Sequence, residues 1–191
     1  MKKTVLTFGL ISGAIIAVLM LATVPLMHKM GMSGGMIIGY TTMVLAFLLV
    51  FFGIRSYREN IGDGRISFGR ALGVGLLIML IGCACYVITW EFIYFNFMPD
   101  FAEKYATFVI EDMRAKGASA AEMAQKMAEM KRFQALYSNI FFNVAMTLIE
   151  PLPVGLIMTF ISALILRRSS KDLHEGQDAV KENPVTRVNP V

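Results

Sequence analysis

Residues 5–26, VLTFGLISGAIIAVLMLATVPL, form an apolar stretch without a charged side chain. A helix rises about 1.5 Å per residue, so this stretch is long enough to cross the roughly 30 Å of hydrocarbon in a bilayer. The basic Met1-Lys2-Lys3 start resembles a signal peptide, but an h-region has only about 7–15 residues and ends at a small-residue cleavage site, which is missing here. We therefore predict an uncleaved first transmembrane helix.

Three more apolar blocks follow, at residues 36–54, 68–95 and 139–166. Each block has to be helical, because an open strand in lipid would leave its backbone N–H and C=O groups without partners. The blocks are apolar on every face, whereas the strands of a membrane barrel alternate apolar and polar residues over about 10 positions. The sequence therefore predicts an all-α integral membrane protein with four transmembrane helices, all within a membrane domain of residues 1–168.

The composition agrees with a membrane protein and argues against nucleic-acid binding. Hydrophobic residues make up 56% of the chain, charged residues 17%, and the mean hydropathy is +0.61. Soluble domains are about a quarter charged. The net charge is +4, but the basic residues lie at the ends of the apolar blocks and not on one polar face. We therefore expect contact with the lipid bilayer and no nucleic-acid partner.

The distribution of Lys and Arg predicts the orientation in the membrane, because short cytoplasmic loops carry an excess of both. Two basic residues precede the first block, and only Lys29 lies between the first and second blocks. We expect a bacterial inner membrane, both termini in the cytoplasm, and a disordered cytoplasmic tail at residues 169–191. Four basic residues lie in the second connection and five after the fourth block, among them Lys171, Lys181 and Arg187. The cytoplasmic residues that we expect at the lipid headgroups are Arg55, Arg58, Arg65, Arg70, Arg167 and Arg168.

Residues 99–136 form a polar insert between the third and fourth blocks. Aromatic and apolar side chains recur at helical spacing over residues 101–113, and Gly117 ends that pattern. Ser119 and Glu122 then form the capping-box signature that opens a second amphipathic helix. The charge count places this helical insert outside the cytoplasm. Its helices can pack on each other, lie on the outer membrane surface or bind a partner, and the sequence leaves these alternatives open.

Glu150 is an ionisable residue well inside the fourth block, and Pro151 and Pro153 follow it. An ionisable side chain in lipid costs at least ~2.5 kcal/mol, so it normally faces the bundle interior with a partner. The prolines remove backbone donors and should kink or open the helix. Two interpretations remain: a carboxylate that binds a proton or cation in a transporter, or a structural Glu bonded to a carbonyl that the prolines leave free.

Glu91 is a secondary candidate near the outer end of the third block, beside Trp90 and Tyr94. Trp and Tyr are enriched at the membrane interface, so we expect Glu91 to be an exposed carboxylate at headgroup depth. Counting residues places it roughly 10 Å shallower than Glu150. We therefore do not expect the two carboxylates to form a pair.

Small residues four positions apart predict close helix contact in two places. Gly9 and Gly13 lie in the first block, and Gly35 and Gly39 lie at the start of the second. This spacing lets helix backbones approach each other, either within one chain or between chains. A homo-oligomer or a membrane-protein partner is therefore possible, and the spacing does not choose between them.

No motif in the sequence indicates a catalytic, cofactor or metal site. There is no Ser-His-Asp arrangement, phosphate-binding loop, HExxH or CxxC. The methionines around His28 could suggest a Cu(I) site, but methionine is abundant along the chain, and the predicted topology places His28 and His174 on opposite sides of the membrane. We expect no cofactor and no metal. Any catalytic residue is unknown, and the sequence on balance argues against an enzyme.

Five segments are distinctive enough for comparison with a known family: Phe8–Gly13, Tyr57-Arg58, Ile66–Ala71, Asn96–Phe101 and Pro153–Ile157. Together they resemble the bacterial membrane family catalogued as domain of unknown function 4199, and the resemblance covers about residues 2–168. It implies a small protein with several membrane spans. It supplies no activity and no functional residues.

Two functional hypotheses follow from the sequence. The first is a non-enzymatic membrane protein, structural or regulatory, that binds a partner through its extracytoplasmic helical insert. The alternative is a small transporter, or a transporter subunit, that uses Glu150 at a proline-broken fourth span. Since four spans are few for a carrier, the alternative requires an oligomer.

Overall fold

The computed structural model describes residues 1–167, apart from the side chains of residues 26–30. Arg168 and the tail, residues 169–191, lie outside this range. Within it the chain forms helices and no β-strand, and four helical stretches are long and apolar enough to cross a membrane. The predicted all-α fold with four transmembrane helices is thereby confirmed. The helices are α1 (Lys2–Asn60), α2 (Phe68–Phe97), α3 (Phe101–Ala115), α4 (Ala120–Tyr137), α5 (Ile140–Ile149) and α6 (Pro151–Leu166).

The first and second spans, Lys2–Pro25 and Gly31–Asn60, both belong to α1. They meet at Gly31, whose φ of 70° and ψ of 179° break the helical path. Glycine adopts this conformation readily because it has no Cβ. The second span is longer at both ends than the predicted 36–54, since the Gly-rich start and the charged end remain helical. The third span is α2, and the fourth, Ile140–Leu166, comprises α5 and α6.

The third and fourth spans approach each other closely at two glycines. A Cβ at Gly75 would lie 2.7 Å from Thr159 Cγ2, and one at Gly155 would lie 2.8 Å from Met79 Sδ. Such contact matters in lipid, where dispersion between well-packed backbones, and not apolar burial, holds helices together. Side chains of the second and third spans fill the centre of the bundle and have almost no exposure, among them Phe47, Val50, Ile54, Val74 and Ile78.

The first span packs against the third through the small residues that the sequence singles out. A Cβ at Gly13 would come within 2.6 Å of Cys85 Cβ, and Gly9 meets the same span about one turn earlier. Between these glycines, the buried Ser12 Oγ donates a hydrogen bond of 3.0 Å to the carbonyl oxygen of Ala46 in the second span. The contact at these two glycines is therefore made within one chain.

Large apolar side chains cover the outward faces of the four spans. Val18 is 65% exposed, Ile37 and Ile88 are each 69% exposed, and Ile165 is 64% exposed. Extended apolar surfaces of this kind mark interaction sites for membranes or other proteins. Together with the length of the spans, this surface supports residence in a membrane.

The insert consists of α3 and α4, which pack against each other. Gly117 lies in the turn between them with φ 77°. The capping box forms as the sequence suggests: Ser119 Oγ accepts a hydrogen bond of 3.3 Å from the Glu122 N–H, and Glu122 Oε2 accepts one of 2.8 Å from the Ser119 N–H. The Ser119 hydroxyl also donates a hydrogen bond of 2.7 Å to Glu122 Oε2, and this bond, together with that from the Ser119 N–H, holds the pKa of the Glu122 carboxyl below its usual range.

The base of the insert meets the ends of the third and fourth spans in an aromatic cluster. The Trp90 and Phe101 ring centroids are 4.7 Å apart, and those of Phe133 and Tyr137 are 5.0 Å apart. Edge-to-face and offset contacts at such distances contribute about 0.5–1.5 kcal/mol each beyond apolar burial. This contact fixes the insert over one end of the bundle. The cluster comprises Trp90, Tyr94, Phe101, Tyr105, Phe133, Tyr137 and Phe142.

Candidate functional site

The fourth span is interrupted at Glu150, where the two prolines predict a break. The helix α5 ends at Ile149 and α6 begins at Pro151. Pro151 and Pro153 have no N–H, so the carbonyls of Thr147 and Ile149 lose their usual helical donors. Glu150 itself keeps helical dihedral angles, φ −68° and ψ −54°, so the interruption is a loss of helical hydrogen bonds well inside the span.

Glu150 has a specific partner on the third span. The Tyr86 hydroxyl donates a hydrogen bond to Glu150 Oε2 over 2.6 Å, a length typical of a hydroxyl bonded to a carboxylate. The Tyr86 residue is only 7% exposed, whereas Glu150 keeps accessible surface. No other described residue donates a hydrogen bond to Glu150. The carboxylate is therefore held from one side and remains available on the other.

Sequence reasoning missed Tyr86, although one signal pointed to it. Glu150 is expected roughly 10 Å deeper than Glu91, and a helix rises about 1.5 Å per residue. Counting back along the third span by that depth leads to about residue 84 or 85, close to Tyr86. A search for hydrogen-bonding side chains at matched depth would have found the partner, whereas the search for a second carboxylate did not.

Glu150 and Tyr86 line a cavity of about 550 Å³ at the insert end of the bundle. All four spans and the insert contribute to its walls, which are mainly apolar. The hydroxyl groups of Tyr40, Tyr105 and Thr42 add to the two site residues. Among the described residues no Lys, Arg or His lines the cavity. Apolar lining residues include Ile16, Met20, Met36, Met43, Ile93, Met146, Ile149, Pro153 and Val154.

The insert forms part of the wall of this cavity. Tyr105 of α3 and Phe133 and Tyr137 of α4 are all part of its lining. The Trp90 Nε1–H donates a hydrogen bond of 2.9 Å to Tyr137 Oη, which ties the insert to the third span beside the cavity. Burial raises the pKa of Tyr137 to about 12, so its hydroxyl stays protonated at neutral pH. Aromatic contacts and one hydrogen bond thus connect the insert to the bundle beside the cavity.

Glu91 does not have the exposed carboxylate that its neighbours in sequence suggest. Both of its carboxylate oxygens are buried and have no hydrogen-bond partner among the described residues. The fold therefore buries both oxygens at a position that the linear sequence shows as a membrane boundary. Glu91 lies within electrostatic range of Tyr137. It does not line the cavity and is not brought to Glu150.

Asn143, in the first half of the fourth span, is a buried polar residue that sequence reasoning did not single out. It has no exposed surface, and its Oδ1 accepts a hydrogen bond of 3.1 Å from Thr147 Oγ1. Its Nδ2 is buried without a partner in the described part of the chain. An asparagine inside an apolar block is itself a signal, because burying an amide without a hydrogen bond costs about 1–3 kcal/mol in proteins.

The predicted arginines lie at the opposite end of the bundle. Arg55 is paired with Glu59, Nε to Oε1 at 2.9 Å, and Arg58 donates a bond of 3.4 Å to the carbonyl oxygen of Leu166, the last residue of the fourth span. Arg58 therefore ties the end of the second span to the end of the fourth. The exposed arginines at this end are Arg55, Arg65, Arg70 and Arg167.

Gly35 and Gly39 face the cavity, unlike the two glycines of the first span. Both are part of its lining. A Cβ at Gly39 would meet no atom within 4 Å. The spacing of these residues therefore provides room at the candidate site in this chain, and not a close helix contact.

A second, more open groove lies outside the cavity, between the Gly31 break and α3. Its volume is about 710 Å³, and it carries acidic side chains such as Glu103 and Glu111. Lys104 also lines it and pairs with Asp100, Nζ to Oδ2 at 2.7 Å. Within the described residues there is no group of three metal-ligating side chains. The cavity that contains the Tyr86–Glu150 hydrogen bond is therefore the better candidate for a binding site.

Comparison with known proteins gives a family and no activity. The family described as "Protein of unknown function (DUF4199)" matches residues 7–168. No curated protein and no solved structure matches the chain. The matched range contains the first span from residue 7 onward, the other three spans, the insert and every residue of the cavity. The chain therefore belongs to the DUF4199 family.

Proposed function

We propose that this protein binds a small, mainly apolar ligand in the cavity beneath the insert, with Glu150 as its polar anchor. The observation that carries the proposal is the Tyr86–Glu150 hydrogen bond inside that cavity. A carboxylate at membrane depth is costly, and membrane proteins generally retain one for a functional reason. The proposal requires no catalytic step.

The dimensions and chemistry of the cavity support this proposal. Ligand pockets typically have volumes of about 300–1,000 Å³ and combine apolar walls with a few polar groups that fix orientation. The present cavity, at about 550 Å³, falls within that range. Its walls offer methionine, isoleucine and aromatic side chains, and its polar groups are one carboxylate and several hydroxyls. A ligand with a large apolar body and one polar group would match it.

A neutral fluorescent probe tests the binding site directly. The chain has a single tryptophan, and Trp90 lines the cavity. Energy transfer from Trp90 to N-phenyl-1-naphthylamine, added to the full chain in detergent micelles, should therefore report binding close to the cavity. Micelles without protein supply the background.

The variant Gly39→Leu tests whether the probe occupies the cavity, because the leucine side chain would enter the cavity without a clash with the backbone. We expect it to weaken probe binding by about tenfold or more, which corresponds to ~1.4 kcal/mol. Gly73→Leu is the control, since a Cβ at Gly73 also meets no atom within 4 Å and this residue does not line the cavity. Equal binding by both variants would place the probe elsewhere and contradict the proposal.

We further propose a bacterial inner membrane with both termini in the cytoplasm and the insert outside. The support is the charge distribution: two basic residues at the start, four in the second connection and five in the tail, against Lys29 in the first connection. Reporter fusions at Asn60 and Gly117 test this orientation. Cytoplasmic activity at Asn60 and periplasmic activity at Gly117 are expected, and the reverse pattern would refute it.

Transport through the same cavity is a narrower form of this proposal. Four spans are few for a carrier, so a transporter of this kind would act as a homo-oligomer or with a membrane-protein partner. The test is Glu150→Gln in the native host. An unchanged uptake or efflux phenotype in a well-inserted mutant would exclude transport centred on Glu150.

A structural or regulatory role through the insert is the second candidate, and the exposed face of α4 favours it. Met127 is 48% exposed on α4, a helix that packs on α3. Exposed apolar side chains of this kind can serve a protein partner. Met127→Glu should abolish such a role and leave probe binding in the cavity unchanged. Gly39→Leu should leave the role of the insert intact and weaken probe binding.

A further inference from the structure

We infer that the ligand class of this cavity is a hydrophobic organic cation, recognised by the Glu150 carboxylate among the aromatic rings of Tyr40, Tyr86, Trp90 and Tyr105. The inference rests on the proposed function and names the chemistry of its ligand. It concerns a single positive charge on a mainly apolar body, such as a substituted ammonium or phosphonium ion.

The charges of the lining favour a cation over an anion or a neutral ligand. Glu150 is the one acidic residue of the cavity wall, and no basic residue lines the cavity in the part of the chain that the structure describes. A neutral apolar ligand would remove water from this carboxylate and leave Oε1 without a partner, which is strongly disfavoured. An anion would add repulsion to that cost, whereas a cation would remove it.

The hydrogen bond from Tyr86 leaves a defined docking position. Oε2 accepts the Tyr86 hydroxyl at 2.6 Å, which fixes the orientation of the carboxylate. Oε1 accepts no hydrogen bond from a described residue. A cationic group can therefore approach Oε1 without breaking the bond that orients the carboxylate.

Aromatic rings supply the second element of recognition. Tyr40 lies within electrostatic range of both Glu150 and Tyr105, and all three line the cavity with Trp90. A cation within about 6 Å of such a ring is attracted by its quadrupole, and the attraction is strongest when water is excluded. Rings and carboxylate thus favour the same charge on the ligand.

The walls argue for an organic cation and against an inorganic one. Ca²⁺ takes about six to eight oxygen ligands, and Mg²⁺ takes about six. The cavity offers one carboxylate and hydroxyl groups on methionine, isoleucine and valine walls. Such walls suit the apolar substituents of an organic ion and cannot replace the hydration shell of a metal ion.

Two probes of nearly identical shape and opposite charge test the inference. Tetraphenylphosphonium and tetraphenylborate are added separately to the full chain in detergent micelles, and quenching of the single tryptophan, Trp90, is followed. We expect saturable quenching by tetraphenylphosphonium at concentrations where tetraphenylborate gives only the signal seen with free N-acetyltryptophanamide in micelles. Equal quenching by both ions, or preference for the anion, would overturn the inference.

Variants assign the selectivity to the carboxylate. Glu150→Gln should weaken tetraphenylphosphonium binding about 30-fold or more, because a buried charge pair loses one partner. Tyr86→Phe should weaken it about fivefold, because the carboxylate loses its orienting bond. Glu111→Gln removes a carboxylate from α3, outside the cavity, and should leave the affinity unchanged. Equal affinity of Glu150→Gln and wild type would contradict the inference.

The outcomes also separate this inference from the proposed function. If the neutral N-phenyl-1-naphthylamine binds and is lost in Gly39→Leu, the cavity binds ligands. The cation inference then depends on two results: the preference for tetraphenylphosphonium over tetraphenylborate, and the loss of affinity in Glu150→Gln. If Gly39→Leu leaves both probes unaffected, the cavity is not the binding site and both proposals fail together.

Discussion

The Tyr86 hydroxyl donates a hydrogen bond of 2.6 Å to Glu150 Oε2, and this bond joins the third and fourth spans at the point where the fourth is broken. Each residue supplies the hydrogen-bonding group that the other needs. The carboxylate gains a donor at membrane depth, and the buried hydroxyl gains an acceptor. The bond also leaves one carboxylate oxygen directed to a ligand-sized cavity, so a structural bond and a candidate binding site share the same residue.

Removing the Tyr86 hydroxyl should destabilise the fold. In Tyr86→Phe the carboxylate loses its donor, and a loss of about 1–3 kcal/mol in the free energy of unfolding is expected. Thermal unfolding in detergent measures it. A double-mutant cycle with Glu150→Gln should give a coupling energy of about 0.5–3 kcal/mol. Tyr57→Phe is the control, because the Tyr57 hydroxyl makes no hydrogen bond within residues 1–167. Zero coupling would show that the bond is not formed.

Filling Gly13 should separate the first span from the third. A Cβ there would come within 2.6 Å of Cys85 Cβ, so Gly13→Leu forces the helices apart and should cost about 1–3 kcal/mol. Gly69→Leu is the matched control, since a Cβ at Gly69 meets no atom within 4 Å. The unfolding midpoints of the two variants give the comparison. An equal midpoint for both would mean that the first span does not pack on the third as described.

Neutralising Glu91 should stabilise the protein. Both carboxylate oxygens are buried without a partner among the described residues, so Glu91→Gln replaces a poorly solvated acid by a neutral group of the same shape. A gain of about 1–3 kcal/mol in unfolding free energy is expected. Glu103→Gln, at an exposed position, should change it by less than about 0.5 kcal/mol. A lower midpoint for Glu91→Gln would reveal a partner for this carboxylate.

Tyr137 should make stability fall at alkaline pH. Burial raises its pKa from 10.0 to about 12, so the unfolded chain loses this proton first and the folded state binds more protons above pH 10. Its contribution is fully present below pH 10 and decreases between pH 10 and about 12, by ~2–3 kcal/mol in total. The measurement is the difference in unfolding free energy between wild type and Tyr137→Phe as a function of pH. A difference that does not change over this interval would contradict the shift.

The sequence by itself determined the membrane architecture, because the signals involved are local. Apolar blocks such as residues 5–26 must be helical to satisfy their backbone in lipid, whatever packs beside them. The break at Glu150 follows from Pro151 and Pro153, which lack N–H groups. The capping box at Ser119 and Glu122 is likewise a relation between residues three positions apart. Local chemistry of this kind can be predicted without knowing the tertiary structure.

Only the tertiary structure decided what Glu150 contacts and what the insert covers. The bond to Tyr86 joins positions 64 residues apart, and no periodicity in the sequence relates them. Glu91 lies at a membrane boundary in the sequence, but the fold buries both of its carboxylate oxygens. Gly13 and Gly39 have the same spacing signature, yet one packs on a neighbouring span and the other opens the cavity. Helix rotation and the docking of the insert determine these environments, and both depend on contacts between distant residues.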